Sequence, residues 1–363
     1  MKKNLLIVSF LHLALSINAQ TLVRDQGLLF SINSDNNREA IIIGNEITEP
    51  VFLKIPEEIT YKDESYIVCK IDNEAFKDNQ NIYSVNIPSS VKIIGKKAFQ
   101  NCQKLKSVSL PDSISNIEDG AFRDCYLIDC IKLPDSLHTI SDYTFSNCYN
   151  LYDVRLPDQL YEIGEGAFQA CKELRNIMLP NTISKIGDSA FARCGLIEVT
   201  LPDSIYLIAP GLFNNCLSLK RIDIPADVRE IGENAFRNCM IEDIVFPKNL
   251  EKIGRDAFNR CESLKVLKLS DSIKSLGERA FSGCSIVESV HIPKNLNYFG
   301  RLCFERCDQI KRVEYLGVPP LCLSEDWYIF SENVKQHATL YVLPKVKSLL
   351  EDGKNINGVG RPW

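Results

Sequence analysis

Histidine is scarce, with four residues in 363, and His12 falls inside an apolar N-terminal run. Chemistry that needs several imidazoles, as proton shuttles or zinc ligands, has little to work with. Tryptophan (two) and methionine (three) are also rare. Basic residues form no track: Lys and Arg total 42 against 47 acids, for a net charge of −5, which excludes a nucleic-acid binding stripe. Past the N-terminus no apolar run approaches the roughly 18–20 residues of a membrane span. No HExxH, GxSxG, P-loop or strand-linked GxGxxG occurs, so no catalytic residue and no cofactor is implied and the chain reads as a non-enzyme. No CxxC pair occurs either, and no metal site is expected. Asp35-Asn36-Asn37 resembles a fragment of a calcium loop without its closing Glu, and reads as a turn. With 45% apolar and 25% charged residues, the composition is that of a folded protein rather than a disordered, collagenous or coiled-coil chain.

Lys2 and Lys3, the apolar run Leu5–Leu15 and the small Ala19 read as a secretory signal peptide over residues 1–19. Its removal takes the net charge from −5 to −7. The expected localisation is therefore exported, at the cell surface or secreted, with the periplasm as the alternative. Cys69 is the first cysteine, so a lipidated N-terminal Cys is not expected.

What the chain does contain is a repeat. Phe recurs at 76, 99, 122, 145, 168, 191, 213, 236, 258, 281 and 304, in steps of 23 or 22 residues. Cys follows three residues after every one of these except the first, where Asn79 stands. Pro follows 11 or 12 residues after nine of the eleven. Both 22-residue steps lose their residue just after the Cys, at Cys194 and Cys239, which marks a turn. Within a unit, Leu105-x-x-Val108-x-Leu110 alternates like a strand with one buried face. Ile94, Ala98 and Cys102, spaced at i, i+4 and i+8, predict a short helical turn. Units this short bury nothing alone and must stack, and eleven strands about 4.8 Å apart predict a rod of roughly 50 Å.

The units resemble BspA-like leucine-rich repeats, with pattern LPxxLxxIGxxAFxxCxxLxxV. Residues 155–177 show it almost in full: Leu156-Pro157, Leu160, Ile163-Gly164, Ala167-Phe168, Cys171, Leu174, Ile177. The resemblance implies an α/β leucine-rich-repeat solenoid with a parallel sheet on its concave face, short helical turns and extended segments elsewhere, and caps at both ends. It implies a surface or secreted bacterial binding protein and no reaction. The expected organisation is an N-terminal cap with a partial repeat over 20–70, the solenoid over 71–316 and a C-terminal cap over 317–363. Strand-like runs at Leu28–Ile32 and Ala40–Ile43 around Ser34–Asn37 predict a hairpin, and an excursion around Tyr61–Tyr66 interrupts the first unit. Residues 345–353 are expected to form a short amphipathic helix.

The cysteine column suits small buried thiols, with one or two disulfides or a metal as alternatives. Cys69, Cys130, Cys303 and Cys322 stand off the column, and Cys130 should face outward and be the reactive one. Asp-Ser pairs at 112–113, 135–136, 188–189, 203–204 and 271–272 read as corner chemistry or as O-glycosylation acceptors. The alternation frees the strand positions that vary between units. The candidate ligand-binding residues are Asp153, Arg155, Asn176, Met178, Glu198, Thr200, Arg221, Asp223 and Asp243. The expected partner is an extracellular or envelope protein or glycan, bound adhesin-like by a monomer. An envelope scaffold that binds other bacterial proteins is the alternative.

Overall fold

The computed structural model describes residues 21–33, 37–315 and 329–342. The signal segment 1–19, Asp35 and Asn36, Pro319-Pro320, Cys322, Pro344 and the expected helix at 345–353 lie outside the described residues. The chain opens with three strands, β1 (Thr21–Asp25), β2 (Leu28–Asn33) and β3 (Glu39–Asn45), paired antiparallel in sequence. β3 then pairs parallel with the long strand Glu64–Ile71. That strand also pairs antiparallel with Glu58–Tyr61, so the excursion around Tyr61–Tyr66 is a hairpin, with Lys62 and Asp63 at φ 52° and 63° in its two-residue turn.

From there the chain winds as a β-solenoid of about eleven coils, each adding short segments to two parallel ladders. The first ladder carries the predicted strands, among them Ile82–Asn86, Ser107–Ser109, Cys130–Lys132, Asp153–Arg155, Glu198–Thr200, Arg221–Asp223 and Ser289–Ile292. Its register advances one coil at a time: Val85 stacks on Val108, Ile131 on Val154, Val199 on Ile222, Val290 on Val313. The second ladder runs through Ile93–Ile94, Asn116–Ile117, Thr139–Ile140, Glu162–Ile163 and onward to Tyr298–Phe299. It was not anticipated, because two-residue strands are too short for alternation to show.

The expected helical turns, and with them the α/β class, are corrected. The one helix among the described residues is Glu332–His337, capped by Ser331. In the Ile-Gly-x-x-Ala-Phe-x-x-Cys arc, alternate amides do different things. Ala98, Gln100 and Cys102 donate three residues back, to Gly95, Lys97 and Phe99 at 3.2, 3.0 and 3.1 Å. Lys97, Phe99 and Asn101 donate instead to the next coil, at 2.9, 2.8 and 2.8 Å. This needs φ of 56° at Lys97 and 61° at Asn101, and a left-handed residue every fourth position ends any helix. Ile94, Ala98 and Cys102 still all point inward, fully buried, as the spacing predicted, but successive tight turns put them there.

The centre of the rod is a column of phenylalanines. The eleven repeat rings stack face to face, with centroids 4.9 Å apart for Phe76–Phe99 and 5.6 Å for Phe168–Phe191. Phe330, 26 residues after Phe304 and outside the repeat spacing, joins the stack at 5.2 Å. Beside the rings, each column thiol donates to the carbonyl of the Phe one coil earlier: Cys102 to Phe76 at 3.1 Å, Cys171 to Phe145 at 3.3 Å, Cys307 to Phe281 at 3.1 Å. Asn79 breaks the column because no earlier Phe carbonyl exists there. Its longer amide reaches Asn45 Oδ1 at 2.7 Å and the Ile47 carbonyl at 3.3 Å instead. All thirteen described cysteines are free. The column is held by thiol–carbonyl bonds rather than disulfides.

Candidate functional site: the exposed strand face

In the first-ladder strands Cys130–Lys132, Asp153–Arg155, Glu198–Thr200 and Arg221–Asp223 the middle residue is buried and its two neighbours face out. This follows from the two-residue period of a strand laid on a packed core. All nine candidate residues stand exposed on this face. The structure divides them into two groups. Asn176, Met178, Glu198, Thr200, Arg221, Asp223 and Asp243 line one groove of about 900 Å³. Asp153 and Arg155 lie outside that groove, one coil upstream, as a mutual pair at 4.0 Å. Lys220, Glu242 and Val245 are also in the lining, and Val245, exposed beside Asp243 in the strand alternation, stood outside the candidate set. The signal for it was available: Val245 holds the same unit position as Met178.

The groove coincides with a change in the backbone. The strand ladder is continuous over Glu198–Thr200 and Arg221–Asp223, but Asn176–Met178 forms no ladder strand. On the other side only the bridge Asp243–Val266 continues the pairing. At these two limits stand Met178, 89% exposed, and Val245, 83% exposed. Between them lies charge. Glu198 sits opposite Arg221, and Thr200 opposite Asp223. Among the described residues, Glu198, Arg221, Asp223 and Asp243 enter no ion pair. Elsewhere on the first ladder some charges do, Lys132 with Asp112 at 3.1 Å and His291 with Asp271 and Glu314, both at 3.4 Å, while Lys268 enters no ion pair among the described residues. The groove therefore offers unspent charge between two apolar ends.

Cys130 faces outward on this ladder, as the alternation predicts, but its expected reactivity is not supported. Partial burial, and then Asp129 and Asp153, raise its pKa, so less of it is thiolate. Four of the five Asp-Ser hydroxyls are engaged: Ser113 donates to Ser89 O at 2.7 Å, Ser204 to Ile183 O at 2.6 Å, Ser272 to Leu250 O at 2.7 Å, and Ser136 to Ile114 O. These bonds give the Asp-Ser corners a coil-stacking role. Among the described residues no group of three or more His, Cys, Asp or Glu could hold a metal, and no helix is long and apolar enough to cross a membrane.

Three solved structures share the fold. The pneumococcal vaccine antigen PcpA is 21% identical, with 93% of this chain and 98% of that one covered, at a TM-score of 0.64. A leucine rich cell surface protein from Faecalibacterium prausnitzii is 21% identical over 91% and 97%, at 0.56. A leucine-rich repeat protein from Bacteroides ovatus is 23% identical over 88% and 99%, at 0.50. No curated protein matches the chain. The profile of the BspA type leucine rich repeat region matches in six copies, over residues 69–197, 138–265 and 184–311, which together span more than half the sequence. The chain belongs to the BspA-type leucine-rich-repeat family.

Proposed function

We propose that this chain is an exported, cell-surface recognition module, adhesin-like, that engages a protein or glycan through the concave strand face. The observation that carries the reading is the groove itself. Seven of the nine variable strand positions converge on it, their charges unpaired and its two ends marked by Met178 and Val245. Exposed apolar anchors beside unpaired charge are what a recognition surface leaves free for its partner. Support for the location comes from relatives described as a cell surface protein and a vaccine antigen, and from the leader-like residues 1–19. The repeat architecture contributes no chemistry. It holds a long surface still, and solenoids use such surfaces for binding.

The test is binding of residues 20–363 to an array of matrix proteins and mucin-type glycans. A saturable ligand whose affinity falls about tenfold or more in Met178→Ala/Arg221→Ala, with the melt unchanged, supports the reading. A folded sample that binds nothing on the array moves the function to a partner within the source cell's own envelope.

A further inference from the structure

A second hollow lies away from the strand groove, where the chain returns from the turn arc to the strand. It has a volume of about 420 Å³ and is lined by Lys106, Leu127, Asp129, Asn150, Tyr152 and Glu173, drawn from four successive coils. That volume is within the range of small-ligand clefts, about 300–1,000 Å³. Tyr152 is 59% exposed and Leu127 40%. Both are apolar bodies left in water where the repeat does not require them, since the equivalent of Tyr152 is Asp129 in the coil before and Arg175 in the coil after.

The backbone here is closed. The amides of Asn150, Tyr152 and Glu173 are taken by the carbonyls of Tyr126, Asp129 and Tyr149, at 3.2, 2.9 and 3.1 Å. A peptide strand would find no free amide among these three residues. What the hollow presents is side chains only, a mainly apolar floor of an aromatic ring and an aliphatic neighbour, with hydrogen-bonding groups confined to its rim. The Asn150 amide both donates and accepts, the Asp129 and Glu173 carboxylates accept, and the Lys106 ammonium donates. Charge at the rim is balanced locally, with Lys106 near Asp129 at 3.7 Å and Arg175 on Glu173 at 3.4 Å, so no net charge selects an ionic ligand. The edge of the hollow is stiffened by Tyr126 and Tyr149, stacked at 4.8 Å, with the Lys172 ammonium 4.4 Å from the Tyr149 ring. Among the described residues the Tyr126, Tyr149 and Tyr152 hydroxyls have no hydrogen-bond partner.

A pyranose matches this arrangement. One face of the ring is C–H and stacks on an aromatic side chain, while its equatorial hydroxyls project to the rim and exchange hydrogen bonds with carboxylates and amides. We propose that the hollow around Tyr152 is a binding site for a neutral carbohydrate, separate from the strand groove and independent of its reading.

The test is titration of the full exported chain with lactose, cellotetraose and laminaritetraose, followed by calorimetry and by saturation-transfer NMR. At least one should bind saturably. Tyr152→Ala and Asn150→Ala should each weaken it about tenfold or more, about the effect of losing one stacking or bidentate contact. Tyr152→Phe, which keeps the ring, should bind within about twofold of the parent. Met178→Ala and Arg221→Ala should leave the sugar affinity unchanged. Binding of none of the three sugars overturns the proposal, as does binding indifferent to both Tyr152→Ala and Asn150→Ala, or lost only in the groove variants. None of these results bears on the strand groove, which the matrix-protein array tests separately.

Discussion

At the scale of single residues, the repeat columns divide into those that hold the rod and those that face water. Phe168 is fully buried between Phe145 and Phe191. Phe168→Ala should cost about 3–5 kcal/mol, from lost burial and an unfilled cavity between rigid coils. A denaturation midpoint unchanged by it would refute the central placement of the ring. Asp153→Ala should stay within about 0.5 kcal/mol, because its pairing with Arg155 is exposed. The thiols make a pH prediction. Burial pushes Cys102, Cys261 and Cys307 up to about 12 and raises Cys125, Cys171, Cys239 and Cys284 in the same direction. Below the ordinary thiol value both folded and unfolded chains keep these protons, and stability is fully present. Above it the unfolded chain releases them and the folded chain does not. Stability therefore falls as pH rises from about 9 toward 12, by about 1.4 kcal/mol per pH unit for each buried thiol. Urea midpoints measured from about pH 8 to about pH 10.5 should drop steeply, and a level profile would mean that the column is open to water. Almost all of this column logic was legible from spacing. Phe330 was not, because it joins the stack from outside the period, and neither was the raised pKa of Cys130, which comes from partial burial first, then from Asp129, and only then from Asp153 in the next coil.

At the scale of one coil, sequence spacing gave the inward residues but not the hydrogen bonding that delivers them. Ile94, Ala98 and Cys102 have a helix-like spacing, yet the amides between them bond alternately within the coil and to the next one. Periodicity reports which side chains share a face, and two routes to the same face look identical in sequence. Far-UV circular dichroism should accordingly lack a helical double minimum, and a strong one would restore the helical reading. Coil spacing also has a cost at the Ile-Gly step. A Cβ on Gly277 would lie 2.4 Å from both Arg255 N and Gly254 C, backbone atoms that no rotamer change can move. Gly277→Ala should destabilise by about 1–3 kcal/mol, the usual range for overpacking. Asp72, Glu118, Ser141 and Ala209 hold that position in other coils, so the requirement is set coil by coil rather than by the fold as a whole.

At the scale of the whole molecule, each coil touches chiefly its two neighbours, so stability should behave as a sum of coils and the interfaces between them. This separates the rod from its surface experimentally. Excising Asp203–Pro225 joins Pro202 to Ala226 and leaves Phe191 followed by Phe236 at 22 residues, a step the natural chain already uses. That excision removes Arg221 and Asp223 from the middle of the groove. Excising Ser89–Pro111 joins Pro88 to Asp112, keeps a 23-residue step from Phe76 to Phe122 and leaves the groove intact. Both shortened chains should unfold cooperatively at somewhat lower midpoints, because each loses one coil and one net interface. Only the first should lose the ligand that the strand groove binds; it keeps every residue of the hollow around Tyr152, whereas the second takes Lys106 from that hollow's rim. Equal loss of groove binding in the two chains would mean that recognition depends on the length of the rod and not on the residues between Met178 and Val245. The variable strand positions would then be a solvated face.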